Sequence, residues 1–150
     1  MVATQTAAAD GGIVVGNSTK TKAQTSATEG EVDGVKSASI FLVEDEALIR
    51  LMLADMMGEL GHVVVAEASN IDIAQRLAET ADFKLAILDI NVAGSDIWPI
   101  AETIERRGLP FLFMSGYGSD SLPEAFRDRP VLNKPCTIQK LKQAIDRLLP

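Results

Sequence analysis

The 150-residue sequence has little of several residue types that usually carry chemistry, with one cysteine, one histidine, one tryptophan and one tyrosine. A single cysteine, Cys136, excludes an internal disulfide framework and a cysteine-rich zinc site, and it fits a reducing compartment. A single histidine, His62, leaves little from which to build a multi-histidine metal site or a histidine-bearing catalytic triad. Any chemistry must therefore come mainly from carboxylates.

Basic residues are also in the minority, since 14 Lys and Arg stand against 21 Asp and Glu, for a formal charge of −7. Such a chain has no basic stripe to neutralise phosphates, so we expect protein partners and no nucleic acid. There is neither the basic, apolar start of a secretory signal nor an apolar run of about 20 residues, the length that a membrane-spanning helix needs. We therefore expect no membrane association and a cytoplasmic location.

The chain divides into two parts by composition. Residues 1–37 are rich in Ala, Thr, Ser and Gly and poor in large apolar side chains, which predicts a flexible tail. One short apolar run in it, Gly12 to Gly16, could instead add a strand to a sheet edge. Residues 38–150 carry the patterning of one folded domain.

In that domain, short apolar runs alternate with amphipathic helical stretches, and no internal repeat is seen. Unbroken apolar strands are covered on both faces, and strand–helix alternation implies right-handed crossovers onto a parallel sheet. We predict a doubly wound α/β domain with five parallel strands and a short, weak fourth helix between Ser121 and Arg127. The predicted strands are Ile40–Val43, His62–Ala66, Leu85–Ile90, Phe111–Met114 and Val131–Leu132.

In such sheets ligands bind beyond the carboxyl ends of the strands. The residues at those ends are Glu44, Asp45, Asp89, Ser115 and Lys134. Three carboxylates close together repel one another, which raises their pKa values or requires a cation such as Mg²⁺. A lysine and a hydroxyl beside them suit a phosphoryl group arriving at an aspartate, with Asp89 as the nucleophile.

Each of these residues has a simpler interpretation when it is taken alone. Acids that follow a strand often stabilise the first turn of the next helix, as Glu44 and Asp45 could. Ser115 with Gly116 could be an ordinary turn, and Lys134 with Pro135 an ordinary loop. The shared position of all of them at the strand ends favours the functional interpretation.

The stretch from Ala38 to Leu149 resembles the receiver domain of bacterial two-component response regulators, which has a flavodoxin-like fold. The resemblance implies that Asp89 is phosphorylated, that Asp45 binds Mg²⁺ directly and Glu44 through water, and that Asn91 lends its backbone carbonyl. It also implies that Ser115 and Lys134 contact the phosphoryl group, and that the Lys134–Pro135 bond is cis. The matching segments are Phe41–Glu46, Leu88–Asn91 with Gly94, Phe113–Gly116 and Asn133–Pro135.

Two features depart from the common receiver pattern. The position three residues before Lys134, usually aromatic, is Val131. Tyr117 lies in the segment Phe113–Gly118, which resembles the motif of the alphaproteobacterial FATGUY subclass, whose fourth helix is reduced or mobile. We therefore expect Tyr117 to belong to the signalling switch.

Together these points predict a single-domain response regulator, because the last helix ends at Pro150. A histidine kinase or a phosphotransfer protein would phosphorylate Asp89 in a phosphorelay, and a downstream protein would respond. Apart from its own phosphorylation and dephosphorylation the chain would not be an enzyme. One alternative is a small Mg²⁺-dependent aspartyl-phosphate phosphatase, although position 91 is Asn where a second catalytic Asp would be wanted. Another is an interaction module that is not phosphorylated.

Overall fold

A computed structural model describes residues 12–14, 31–32, 35–116 and 122–150, with side chains from residue 37 onward. Five parallel strands form the centre of the fold, in the order β2-β1-β3-β4-β5. This order reverses direction between β1 and β3, which is where a doubly wound sheet has its binding crevice. The strands are β1 (Ser39–Val43), β2 (Val63–Ala68), β3 (Leu85–Asp89), β4 (Phe111–Ser115) and β5 (Val131–Asn133).

Four α-helices cover the two faces of this sheet, as expected for strands with buried side chains on both sides. They are α1 (Ala47–Glu59), α2 (Ile71–Thr80), α3 (Trp98–Arg106) and α4 (Ile138–Leu148). The side chain of Asn70 accepts a hydrogen bond from the Ile73 N–H and begins α2. Thr137 does the same for α4 through the Lys140 N–H, so both helices begin at residues that satisfy their free amides.

The predicted doubly wound architecture is confirmed, including the reduced fourth helix. Between β4 and β5 the described residues contain only a 3₁₀ turn, Glu124–Phe126. The apolar run at Gly12 also forms a strand, Gly12–Val14, which pairs antiparallel with Ala66–Ala68 of β2 and extends the sheet to six strands. Whether the folded domain begins at residue 38 stays a prediction.

Two apolar cores lie on opposite sides of the sheet. One packs between the sheet and helices α2 and α3, and the other packs between the sheet and helices α1 and α4. Because β1, β3 and β4 are buried along nearly their whole length, their carboxyl ends are held at fixed positions at one edge of the sheet. No helix among the described residues is long and apolar enough to cross a bilayer.

Candidate functional site

Glu44 and Asp45 lie in the turn between β1 and α1. The Glu44 N–H donates to the Ala68 carbonyl of β2 at 3.1 Å, so the chain stays tied to the sheet one residue beyond the strand. The Glu44 side chain is fully buried, and its Oε2 accepts a hydrogen bond from the Glu46 N–H at 2.9 Å. Asp45 is half-buried and faces the solvent side of the turn.

Asp89 is the last residue of β3 and is only 3% exposed. Its Oδ1 accepts a hydrogen bond from the Asn91 N–H at 3.2 Å. Asn91 begins a short hairpin, Asn91–Val92 paired with Ser95–Asp96, which the sequence did not predict. Ala93 and Gly94 form its turn with φ values of 53° and 87°, as a two-residue hairpin of the primed type requires.

The hairpin also connects two of the acids. Its Ala93 N–H donates to Asp45 Oδ2 at 3.1 Å, while its Gly94 N–H donates to the side-chain oxygen of Asn91 at 2.9 Å. The backbone after β3 thus contacts the turn after β1. These bonds fix Asp45 relative to Asp89.

Lys134 follows β5 and supplies the positive charge. Its Nζ lies 3.1 Å from Glu44 Oε1 and 3.1 Å from Asp89 Oδ2, so one ammonium group pairs with two buried carboxylates. Its own N–H donates to the Ser115 carbonyl at 2.9 Å, which ties it to the end of β4. The Lys134–Pro135 peptide bond is cis, as the resemblance to receivers implied.

The protonation equilibria of these groups reflect burial and crowding. Burial raises the pKa of Glu44, and the negative charge of Asp89 adds to this, although a backbone hydrogen bond and Lys134 oppose it. Burial likewise raises the pKa of Asp89 against the opposing effect of Lys134. Burial alone would lower the pKa of Lys134, but its hydrogen bonds to the two acids outweigh burial and raise it. In both carboxylates, burial therefore outweighs the stabilisation of the ionised form by Lys134.

Glu44, Asp45 and Asp89 form one acidic cluster, in which one ligand oxygen from each lies within 4.8 Å of the others. Carboxylate oxygens are the ligands that Mg²⁺ and Ca²⁺ prefer, and three of them so close leave a charge that a divalent cation could neutralise. The donor set therefore fits a hard cation. It is unsuited to a soft metal, because no sulfur or imidazole ligand belongs to the cluster.

A cleft of about 740 Å³ opens above this cluster. The buried Ser115 and the exposed Gly116 line it at the end of β4, opposite the turn that carries Asp45. The structure thus brings the strand-end residues around one cleft, with Glu44 buried beneath it. Tyr117, the predicted switch residue, lies outside the described residues.

Three residues near the cleft were not singled out by sequence reasoning. Asp96 and Trp98 line it, because the hairpin after Asp89 turns back toward the site. Arg50 lies behind the acids, where its Nη1 donates to the Glu44 carbonyl at 2.7 Å and its Nε pairs with Glu67 at 3.1 Å. The position of Trp98 as the sole tryptophan, nine residues after Asp89, was the one available signal.

Comparison with known proteins agrees with this geometry. Residues 40–146 match the family described as the response regulator receiver domain. The chain is 32% identical over 120 residues to the transcriptional regulatory protein PdtaR of Mycobacterium tuberculosis, an alignment that covers 77% of this chain. It spans only 58% of the length of PdtaR.

Solved receiver structures are also similar. SdrG from Sphingomonas melonis Fr1 is 38% identical with a TM-score of 0.67, and the match covers 75% of this chain and 96% of SdrG. The receiver domain of the PhyR response regulator from Erythrobacter litoralis is 25% identical with a TM-score of 0.64. That match covers 75% of this chain and 90% of the PhyR domain.

Proposed function

The chain belongs to the response regulator receiver domain family, a family of signalling modules, and we propose that it accepts a phosphoryl group on Asp89 as a Mg²⁺-dependent step of a phosphorelay. The observation that supports this most strongly is the pairing of a buried aspartate with Lys134, at 3.1 Å, on the floor of an acidic cleft. A carboxylate with a raised pKa and a cation beside it is a typical reactive-site arrangement.

The acidic cluster supports a place for Mg²⁺. In this proposal Asp45 and Asp89 bind the ion directly, Glu44 assists through water, and the backbone carbonyl of Asn91 adds a ligand. A bound Mg²⁺ supplies positive charge that neutralises the phosphoryl oxygens. Lys134 pairs with only two of the three carboxylates, Glu44 and Asp89, so the cluster keeps negative charge that a cation could neutralise.

The chain's own residues divide the work of the transfer. A carboxylate oxygen of Asp89 attacks phosphorus, and the bond from phosphorus to the donor atom breaks, with its electron pair leaving on the donor. Lys134 neutralises one phosphoryl oxygen, and the Ser115 hydroxyl at the end of β4 donates a hydrogen bond to another. No side chain has to take up a proton, since the Asp89 carboxylate attacks in its ionised form.

We propose a histidine kinase or a phosphotransfer protein as the donor, meeting this chain in the cytoplasm. Two leucines of α1 next to the cleft are strongly exposed, Leu48 at 80% and Leu51 at 60%. Exposed apolar side chains of this size commonly mark a protein contact. Ile49, between them, lines the cleft itself, so a protein bound to this face of α1 would reach Asp89. The response would then pass to a downstream protein through a phosphorylation-dependent contact.

The test is the intact mass of the full chain after incubation with acetyl phosphate and Mg²⁺. We expect addition of one phosphoryl group to the wild type, and none to Asp89→Asn or to a sample with EDTA. Rapid release of inorganic phosphate from many phosphomonoesters would instead indicate a phosphatase. No addition under any condition, with a histidine kinase included as donor, would leave an interaction module as the function.

The metal assignment has a separate test that needs no phosphorylation. Asp45→Ala is expected to weaken Mg²⁺ binding, measured by calorimetry, by tenfold or more, on the order of the loss seen when a metal site loses a key group. Asp96→Ala is the matched control, because Asp96 lines the same cleft but lies outside the acidic cluster. Equal affinities for Asp45→Ala and the wild type would contradict the proposed ligand set.

A further inference from the structure

Four aromatic rings pack together between α3, β4 and the 3₁₀ turn. The Trp98 ring lies edge-on to Phe113, with centroids 5.5 Å apart, and nearly parallel to Phe126 at 6.1 Å. Phe126 also contacts Phe111 at 5.9 Å and Phe113 at 5.7 Å in edge-to-face geometry. Such contacts contribute beyond the area that they bury, so the cluster is a defined packing unit.

Within this cluster Trp98 is the ring that reaches the cleft. It is half-buried and lines the cleft together with Asp89 and Ser115, whereas the three phenylalanines are buried and are absent from the described lining. Trp98 therefore has one side toward the acidic site and another against Phe126. Of the four rings, Trp98 is therefore the one that a group bound in the cleft can contact.

The 3₁₀ turn depends on the cluster for its position. Glu124 and Ala125 are exposed, and the side chains that hold this segment to the domain are the buried Phe126 and Leu122. Phe126 has three aromatic neighbours, Trp98, Phe111 and Phe113. Trp98 thus supplies one of the three aromatic contacts that hold Phe126, and with it the turn.

The strand next to Phe113 presents a short side chain to the aromatic cluster. Phe113 lies beside Val131 in the register of β4 and β5, and Val131 is a small side chain packed at the border of the same core. Phe113 is two residues before Ser115, so the contact between Trp98 and Phe113 joins the start of α3 to the strand that carries Ser115. The aromatic link from the cleft to the turn thus starts at α3.

We propose that Trp98 is a positioning residue that transmits occupancy of the Asp89 cleft to the turn Glu124–Phe126. The inference rests on the proposed function, since the occupant is the phosphoryl group on Asp89. Phosphorylation displaces the Trp98 ring, Phe126 loses part of its packing, and the turn opens more often. The surface between β4 and β5 then differs between the two states, which is what a protein partner can recognise.

The test measures amide exchange by NMR in the full chain during steady phosphorylation by acetyl phosphate and Mg²⁺, with intact mass taken from the same sample. Three amides report on the turn, because Phe126, Arg127 and Arg129 donate to Pro123, Glu124 and Phe126 respectively at 3.0–3.2 Å. In the wild type we expect their exchange to accelerate roughly fivefold or more, the low end of ordinary coupling between sites. Trp98 is the sole tryptophan, so its fluorescence should shift in parallel.

Three variants distinguish transmission of the change by Trp98 from a purely packing role of its ring. Trp98→Leu should still accept the phosphoryl group. Amide exchange in its turn should then accelerate less than about twofold, which is below the usual range of coupling between two sites. Phe111→Leu is the matched control, because Phe111 contacts Phe126 but does not line the cleft, and it should keep the full response. Trp98→Phe keeps an aromatic ring and should restore part of the acceleration of amide exchange in the turn. Thermal unfolding of each variant checks that it is folded.

The outcomes are distinct. If the wild type is phosphorylated and amide exchange in the turn does not change, the proposed role of Trp98 is wrong, while phosphorylation on Asp89 still stands. The same holds for a full response in Trp98→Leu. A wild type that gains no mass would overturn the proposed function and the proposed role of Trp98 with it.

Discussion

Replacing Lys134 by methionine tests how the acidic site is held together. The ammonium group lies 3.1 Å from both Glu44 and Asp89, and each contact is worth roughly 5 kcal/mol at an effective dielectric of 20. The two carboxylates lie within 4.8 Å of each other and repel by roughly 3 kcal/mol on the same scale. Methionine has a similar length and no charge, so the variant removes the attraction and leaves the repulsion.

The loss is limited because Glu44 can bind a proton instead. Its ordinary pKa is 4.5, so protonation at pH 7 costs about 3 kcal/mol at about 1.4 kcal/mol for each pH unit. We expect Lys134→Met to lower the free energy of unfolding by about 3 kcal/mol at pH 7 in EDTA. At pH 4.5 protonation of Glu44 costs almost no free energy, so the free energies of unfolding of Lys134→Met and wild type should differ by less than about 1 kcal/mol.

Urea unfolding followed by circular dichroism measures this directly. With a slope of about 1–3 kcal/mol per molar urea, the midpoint should fall by roughly 1–3 M at pH 7. Lys142→Met is the control, since Lys142 pairs with Asp146 at 2.7 Å on an exposed helix surface. Such pairs contribute about 0.3–0.5 kcal/mol. A stability of Lys134→Met within about 1 kcal/mol of wild type at pH 7, or an equal loss at both pH values, would refute this reasoning.

Three further predictions concern other parts of the domain. Asp89→Asn should raise the free energy of unfolding of the metal-free chain by roughly 1 kcal/mol, measured by urea unfolding. The reason is that burial raises the pKa of Asp89, so its ionised form is unfavourable in the folded state. A lower stability of the variant than of wild type would contradict this. Leu51→Ser should slow phosphotransfer from a histidine kinase about tenfold without changing labelling by acetyl phosphate, whereas Val63→Ser, at a remote exposed apolar site, should change neither. Burial lowers the pKa of His62, and its Nδ1 accepts a hydrogen bond from the Ala38 N–H at 3.1 Å. The contribution of neutral His62 to the stability of the folded state is therefore present above pH 6.5 and is lost as pH falls below it. Between pH 7.5 and 5, wild type should therefore lose about 1 kcal/mol more than His62→Gln, and parallel curves would show that His62 does not titrate in this way.

Sequence reasoning was most successful where one physical rule dominates. Unbroken apolar strands and strand–helix alternation predicted the parallel sheet correctly. The weak pattern after Ser121 corresponds to the 3₁₀ turn Glu124–Phe126. Each of these features depends on local sequence or on burial of a whole element.

The remaining features depend on packing between distant residues. The hairpin Asn91–Asp96 has Ala93 and Gly94 in its turn, and alanine at a positive φ gives no clear sequence signal. The strand Gly12–Val14 is too short to be distinguished from a loop by periodicity. The contact of Trp98 with Phe126 joins elements 28 positions apart, and no spacing rule places it. Roles such as those of Ser115 and Asn91 stay predictions until phosphorylation and metal binding are measured.

In the proposed function, the charges of the site would link metal binding to phosphorylation. Within the acidic cluster, three carboxylates against the one ammonium group of Lys134 leave two uncompensated negative charges. Phosphorylation converts the Asp89 carboxylate into a neutral acyl group that carries a phosphoryl group of about −1.5 to −2 charge, so the deficit of positive charge grows. A divalent cation should therefore bind the phosphorylated form more tightly than the free form. By reciprocity the cation must favour phosphorylation to the same extent, since a coupling free energy between two bound groups is shared. The half-buried Lys134 alone cannot provide this, because its single charge is already divided between Glu44 and Asp89.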